Sequence, residues 1–571
     1  MNKSRISSQH QKKQRWFQTA LRWGLIGLCV TAIGCEHFID ERYFKGTKSV
    51  PEERFQRVEP LDLPSLSVDP KPREPNEVPP AHLPLTIEEC RALALENNLD
   101  LKVQLFSPRK AEENVKEARA AFEPSLFSRF NFSKTDTPAG SPITFTLDAF
   151  QTEYINGDLG FQIPLHAGGT VTLDFPFSRS LREEAVPILD DEGNVIDYVS
   201  KEASIYGTNF AISVDQPLLR GGGLMTNTHA IRVAYYGSLI AKARTKLEVI
   251  RVLAAVDRVY WRLYAARREL DVRKQEFDLA KQQLESTRRK VAAGDTAEIE
   301  ILRAEDAAAQ RMEAIILADN AVRDRERELK LVLNKAGLGM ETPTIIDSAT
   351  EPKPQYVKLD SERIIEYALE NRMELLELEL QIASDDSVIE YEKNGLLPVL
   401  NLNYTYNING LGQQLNDAYD LMLRNRFVDH RIGLVLQVPL GNRAARSRWR
   451  RALLQRRERL ASKRQREALI KREVLNAADQ LEANWQRVIA SRQSSILAER
   501  TLKAEQRQYD LGMQILREVL DAQARYANAQ SAQIQALVEY QIAQVDLAYA
   551  TGGLLGAAQI YWFGEAQEKK E

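Results

Sequence analysis

Two carboxylates three residues apart, Glu518 and Asp521, fall on one face of any helix that carries them. So placed they repel each other and attract cations, and they make no convincing acid–base pair. No nucleophile with an adjacent base, no HExxH or other paired histidine spacing and no separated acid–base carboxylates occur, so no enzyme, cofactor or metal site is expected. Two other constellations carry charge or backbone chemistry. Arg220-Gly221-Gly222-Gly223 suggests a phosphate cradle, but neither the GxGxxG spacing nor a following Lys-Ser or Lys-Thr is present, and a flexible strand-to-helix junction is the better reading. Residues 443–472 hold 13 basic residues against two acids, a run that on a helix would suit DNA. The run follows an alternating strand directly, which leaves lipid phosphates or a plain solvated face as its two readings.

Composition limits what the surrounding elements are. In 571 residues, Lys plus Arg total 77 against 80 for Asp plus Glu, and a net charge of -3 gives no global case for nucleic acid as a partner. The 44% hydrophobic and 27% charged fractions describe a folded chain. Three cysteines exclude a disulfide framework. No apolar run reaches about 18 residues, so a membrane crossing, if there is one, falls to strands. Residues 1–22 are basic and lead into an apolar stretch ending Ala32-Ile33-Gly34-Cys35, which reads as an export signal over 1–34. A cysteine after a small residue resembles a bacterial lipobox, with Cys35 acylated in the mature chain; a free cysteine after an ordinary signal is the competing reading. Nine of the 22 prolines lie between Pro51 and Pro84, so 35–85 reads as lipid anchor and extended tether.

Helix breakers are then scarce. No proline occurs from Leu218 to Thr342 or after Pro439, and glycine is confined to Gly237 and Gly294 between Leu224 and Ala336 and to Gly512 between Asn442 and Thr551. Each block reads as a long helical hairpin with its tip at that last glycine, the longer arm on the order of 100 Å. Val249, Val256, Leu263, Leu270, Phe277, Leu284 and Val291 recur every seven residues up the first arm. Val474, Leu481, Val488, Leu502 and Tyr509 occupy the matching frame 218 residues on, as a coiled-coil seam. The chain is also a duplication: residues 86–127 align without a gap on 360–401, a shift of 274. In each copy a helix of roughly thirty residues leads through a proline into alternating apolar and polar positions, as in Leu400, Leu402, Tyr404 and Tyr406 with Asn401, Asn403, Thr405 and Asn407. Returning strands end in Gln216-Pro217-Leu218 and Val438-Pro439-Leu440. The first copy holds extra residues in which Asp158 to Leu165 and Thr170 to Phe177 flank a His166-Ala167-Gly168-Gly169 turn. They read either as an added barrel hairpin or as a flap outside the bilayer.

Helix, strands and helical hairpin, repeated once behind a lipoprotein signal, resemble the TolC family of outer-membrane efflux and secretion channels. The resemblance runs from Thr86 to about Leu555. It is carried by Val291-Ala292-Ala293-Gly294 through Leu302-Arg303-Ala304-Glu305, by Tyr509-Asp510-Leu511-Gly512 through Val519-Leu520-Asp521-Ala522-Gln523, and by Ala548-Tyr549-Ala550-Thr551-Gly552. It implies α-helix plus membrane β, a trimeric β-barrel continued by a long coiled-coil α-helical barrel, built from two internal repeats over 86–340 and 360–555. A linker over 341–359 joins them and a tail over 556–571 follows. It implies a homotrimer in outer-membrane lipid that reaches into the periplasm, meets a periplasmic adaptor at the tips Gly294, Asp295, Gly512 and Met513, and receives substrate from an inner-membrane transporter. Open strand edges in lipid independently require oligomerisation. The resemblance places Tyr509 at the periplasmic constriction, Glu300 as its acidic partner, and Glu518 with Asp521 as an acidic ring. Gln514 departs from the family's arginine, so one charged restraint is missing. Four strands from the first copy and two from the second would make about eighteen per trimer, against the roughly twelve that the resemblance implies. A structural coiled-coil lipoprotein scaffold without a pore is the alternative function.

Overall fold

The computed structural model describes residues 82–140, 147–189 and 195–557. The export signal, Cys35, nearly all of the tether and the tail from 558 lie outside the described residues. The described chain divides into two compact units, one comprising Glu113–Tyr236 and Ala383–Arg456 and the other the remainder.

The second unit is helical. Strand β1 (His82–Leu85), inside the segment read as tether, pairs in parallel with β6 (Ile345–Ser348) of the linker. Thr86 and Glu89 form a reciprocal capping box that starts α1 (Ile87–Asn97). The single helix expected here is broken: α2 (Leu99–Gln104) and α3 (Phe106–Ala120) follow in the first copy, and α7 (Ser361–Asn371) and α8 (Met373–Asn394) divide the second. The breaks fall at Asn98 and Arg372, whose ψ values of 128° and 122° leave the helical region. Cys90 is fully buried, and burial, with Glu89, Asp257 and Glu88 adding to it, pushes its thiol up to about 12.

The long blocks form α5 (His229–Ala292, 64 residues) with α6 (Ile299–Leu333), and α10 (Arg443–Asp510, 68 residues) with α11 (Leu516–Ala550). The expected seam is buried at Val249, Val256 and Leu263 but only half-buried from Leu270 to Val291. Toward the tip the buried row shifts to Val272, Glu276, Ala280, Gln283 and Thr287, so polar groups replace the apolar stripe. In α10, Val474, Leu481, Leu502 and Tyr509 keep the seam, with Ser495 buried in it.

The first unit carries one antiparallel sheet in the order β2-β3-β4-β5-β7-β8. Its strands are β2 (Ser125–Gly140), β3 (Leu147–Pro164), β4 (Thr170–Leu189), β5 (Val195–Pro217), β7 (Val399–Gly412) and β8 (Val428–Gln437). The added hairpin of the first copy belongs to this sheet: β3 and β4 pair on both sides, and both run longer than the alternation suggested. A short α4 (Leu224–Asn227) precedes α5, a nine-residue α9 (Leu415–Leu423) links β7 to β8, and α12 (Leu554–Ala557) closes the described chain. The Arg220–Gly223 stretch is a junction pinned by Asn394, whose Oδ1 accepts from Gly221 N at 2.7 Å and whose Nδ2 donates to Leu219 O at 3.2 Å.

Candidate functional site

The two hairpin tips end by the same mechanism. Gly294 (φ 80°) donates its N–H to Val291 O at 3.0 Å, and Asp295 N donates to Lys290 O at 2.9 Å. Gly512 (φ 72°) donates to Tyr509 O at 3.1 Å, and Met513 N to Gln508 O at 2.9 Å. This is the Schellman arrangement, and it needs the left-handed conformation that glycine adopts without strain. Asp295 and Met513 are exposed.

Tyr509 is buried against Ala304, Leu516 and Val519, with Leu284 and Leu520 beside them. The structure does not join it to Glu300. The Tyr509 hydroxyl and Glu300 Oε2 are both buried without a hydrogen-bond partner, while Glu300 Oε1 accepts from Arg303 at 2.6 Å. The group that ties the first tip to Tyr509 is Lys290: its ammonium lies 3.8 Å from the ring centroid, 3.2 Å from the Tyr509 carbonyl and 3.5 Å from the Asp510 carboxylate. Gln514 donates to Glu505 at 3.0 Å, a local bond within the second tip. Glu518 is half-buried in the first turn of α11, and Asp521 is exposed, 3.9 Å from Arg517. Asp521 also borders a cleft of about 390 Å³ with Arg273, Glu276, Arg303 and Arg311. Arg311 is almost fully buried there, 3.3 Å from Glu276 and donating to Ala307 O and Leu520 O. Burial pulls its guanidinium below the ordinary value, and Glu276 opposes that.

The basic run of α10 is partly matched by the acids of α8: Arg448 with Glu392, Lys463 with Glu379 and Arg466 with Glu374, at 3.4, 2.9 and 2.9 Å. Arg443, Arg450, Arg457, Arg464 and Lys471, seven residues apart, form an exposed row on the same helix.

In the sheet, register puts the apolar residues of all six strands on one face. Phe130 and Phe132 on β2 share it with Leu159 and Phe161 on β3, Phe175 and Phe177 on β4, Phe210 and Ile212 on β5, Tyr404 and Tyr406 on β7, and Ile432 and Leu434 on β8. The Phe175 and Phe210 rings lie 4.8 Å apart across β4 and β5. The other face is polar: Arg129 lies 3.4 Å from Asp158, Ser213 bonds Thr405 at 3.2 Å, Asn409 donates to Asp429 at 2.9 Å, and Asn403 bonds Asp215. Apolar outside and polar inside, over strands of this length, is the pattern of a membrane barrel wall. Among the described residues no helix is long and apolar enough to cross a membrane.

A family model described as outer membrane efflux protein matches residues 195–335 and 364–553, one segment in each repeat and more than half of the chain. The chain belongs to the outer membrane efflux protein family. It is an outer-membrane protein with the TolC-like channel fold built from two repeats. Solved structures agree on that fold. VceC of Vibrio cholerae is 13% identical with TM-score 0.57, covering 82% of this chain and 96% of its own. CmeC of Campylobacter jejuni is 15% identical with TM-score 0.57, covering 82% and 86%. MtrE of Neisseria gonorrhoeae is 14% identical with TM-score 0.56, covering 82% and 89%. No curated protein matches the sequence.

Two features of this efflux-family chain were missed by sequence reasoning. Lys290 sits one residue before the seam position Val291, and its spacing carries no signal of a contact 219 residues away. Helix α9 could have been found, since Leu415, Ala418, Tyr419, Met422 and Leu423 follow helical spacing.

Proposed function

We propose that three copies of this chain close one outer-membrane barrel and a periplasmic tunnel that passively conducts substrates delivered by an inner-membrane pump through a periplasmic adaptor. The observation that carries the reading is the sheet. Its apolar face is continuous over six strands, and its end strands β2 and β8 each pair on one side only among the described residues. Unsatisfied edges are not tolerated in lipid. Setting β8 of one copy beside β2 of the next continues the antiparallel alternation and closes about eighteen strands, a barrel about half as wide again as one of twelve.

At the periplasmic end the aperture is formed by Tyr509, Glu300, Gln514, Glu518 and Asp521, and the adaptor meets Gly294, Asp295, Gly512 and Met513. Six carboxylates of Glu518 and Asp521 around a narrow three-fold axis favour cations. Acylation of Cys35 anchors each chain beside the barrel.

Purified protein in planar bilayers is expected to give discrete conductance steps, whereas a scaffold gives none. Glu518→Ala with Asp521→Ala is expected to lower cation selectivity and block by multivalent cations; unchanged selectivity removes the ring. A density map with residues 158–177 outside the bilayer rejects the wide barrel. Cys35→Ala with unchanged mass, processing and membrane retention rejects the anchor.

A further inference from the structure

Helix α9 stands on the apolar face of the sheet, not on the polar one. Gly410 and Gly412 continue the even-numbered positions of β7 that carry Tyr404, Tyr406 and Ile408, and both are glycine because the helix leaves no room. A Cβ on Gly410 would lie 2.1 Å from Ala418 O and 2.7 Å from Thr208 Oγ1, and one on Gly412 would lie 2.7 Å from Ala418 N. Ala418 is fully buried in this seat, and Thr208 is 1% exposed beneath it. The helix lies at the sheet end opposite Val399 and Gln437, where β7 and β8 join the long helices.

One flank of α9 is apolar and open. Leu415, Tyr419 and Leu423 recur every four residues and remain exposed, Leu423 at 75%, and Phe427 adds to them. The flank beyond carries Asn416 and Asp420, and exposed Arg424 and Arg426 follow directly. A short helix with an apolar flank, a polar flank, an interfacial tyrosine and adjacent arginines has the build of an element lying in a bilayer interface.

We propose that α9 is a lipid-binding foot: it lies on the outside of the barrel at the outer-leaflet boundary, with Leu415, Tyr419 and Leu423 against hydrocarbon and Arg424 and Arg426 at headgroup phosphates. The occupant is lipid because α9 is seated on the same face of β5 and β7 that carries Phe210, Ile212, Tyr404 and Tyr406, so its open apolar residues lie on the belt's own side of the sheet. The inference rests on that belt being the lipid-facing side.

The test is nitroxide labelling of single cysteines in the full-length protein reconstituted in phospholipid vesicles, with collision rates measured for oxygen and for a water-soluble nickel chelate. Buried Cys90 stays unlabelled, and the signal of the parent protein is subtracted. Labels at Leu423→Cys and Tyr419→Cys are expected to favour oxygen over nickel, as a label at Leu434→Cys in the belt does, and Asp420→Cys to show the reverse. Nickel access at Leu423 equal to that at Asp420 overturns the foot. So does a label at Leu423 reached by neither reagent, which would mean a protein covers the flank. If Leu434→Cys itself favours nickel, the fault lies with the lipid-facing reading of the sheet.

Discussion

The two repeats use different residues for the same bonds at their helical joints and differ outright in their strands. Asn98 and Arg372 stand at corresponding positions, 274 apart, and each donates at 3.0 Å to a carbonyl at the end of its returning helix, Val332 and Ala550, which are 218 apart. Asn334 and Gly552, also 218 apart, are both left-handed, at φ 43° and 74°, and both lie against the carbonyl of the residue before the break, Asn97 or Asn371. Among the described residues the first copy supplies four strands of the sheet and the second two, and α9 belongs to the second. The difference follows from constraint. The joint is held by a hydrogen bond whose two ends must both be kept, so substitutions preserve the bond. An antiparallel hairpin inserted in the middle of a sheet changes neither the direction nor the pairing of its edge strands, so strands are free to be added in twos.

Removing the added hairpin is the largest test of that contrast. Deleting residues 141–190 brings β2 and β5 together in antiparallel sense, and the protein is expected to keep its oligomeric mass and the thermal unfolding of its helices while losing about a third of its strands. Loss of assembly would show that the hairpin is structural and not modular.

The joints come next. Arg372 is 4% exposed and bonds Glu374 and Glu473 at 2.8 Å besides the Ala550 carbonyl. Arg372→Ala is expected to cost about 2–3 kcal/mol by losing the buried bond to the Ala550 carbonyl and one of the two cations at Glu374 and Glu473, Arg466 remaining beside both, whereas Asn98→Ala loses a cap and one bond, about 1–2 kcal/mol. Equal losses in chemical denaturation would mean that the two joints do not differ in charge dependence. Burial alone would raise the Glu374 carboxyl, but Arg372 first, then its own backbone and Arg466, outweigh burial and hold it below the usual 4.5. A depressed carboxyl stabilises fully above that ordinary value and loses its contribution as pH falls through its folded value. Acid titration of stability should therefore be steeper in the parent than in Glu374→Gln below about pH 4.5.

The tips also differ in charge beside Tyr509. Lys290 holds Tyr509, and the matching position of the second tip is Gln508. Lys290→Ala is expected to raise open probability roughly tenfold in bilayers, from a cation–π contact and a charged hydrogen bond together, while Gln508→Ala leaves it unchanged. Tyr509→Phe is expected to do little, because the hydroxyl has no partner. A large effect of Tyr509→Phe would restore the bond to Glu300 that the resemblance implied.

The duplication, both tip glycines and the helical hairpins were legible because each rests on local rules: breaker scarcity, seven-residue spacing and left-handed caps. The added hairpin was legible as two alternating segments but not as full strands, since the alternation fades toward Leu147 and Leu189 while backbone pairing continues. The helix breaks at Asn98 and Arg372 were hidden because neither residue is a breaker by type. Their carbonyl partners lie more than 170 residues away. Tyr509 was placed with Glu300 by resemblance, and the charge that reaches it, Lys290, belongs to a tertiary contact that spacing does not encode.

The smallest expected effect is the sharpest check on the equivalence of the joints. If Asn334 and Gly552 fill one role, each should accept the other's residue. At Gly552 the left-handed backbone strains most side chains, and a Cβ would sit 3.0 Å from the Asn371 carbonyl oxygen. Asparagine tolerates that conformation better than other non-glycine residues. In the first copy its amide turns the close approach into a hydrogen bond, Nδ2 of Asn334 to Asn97 O at 3.1 Å. Gly552→Asn is therefore expected to change stability by less than about 1 kcal/mol, and Gly552→Val to cost about 2 kcal/mol or more, since a β-branched residue brings the strain without the bond. Equal losses for the two variants in chemical denaturation would mean that the second joint needs the bare glycine for space, and that the likeness of the two copies ends at the backbone.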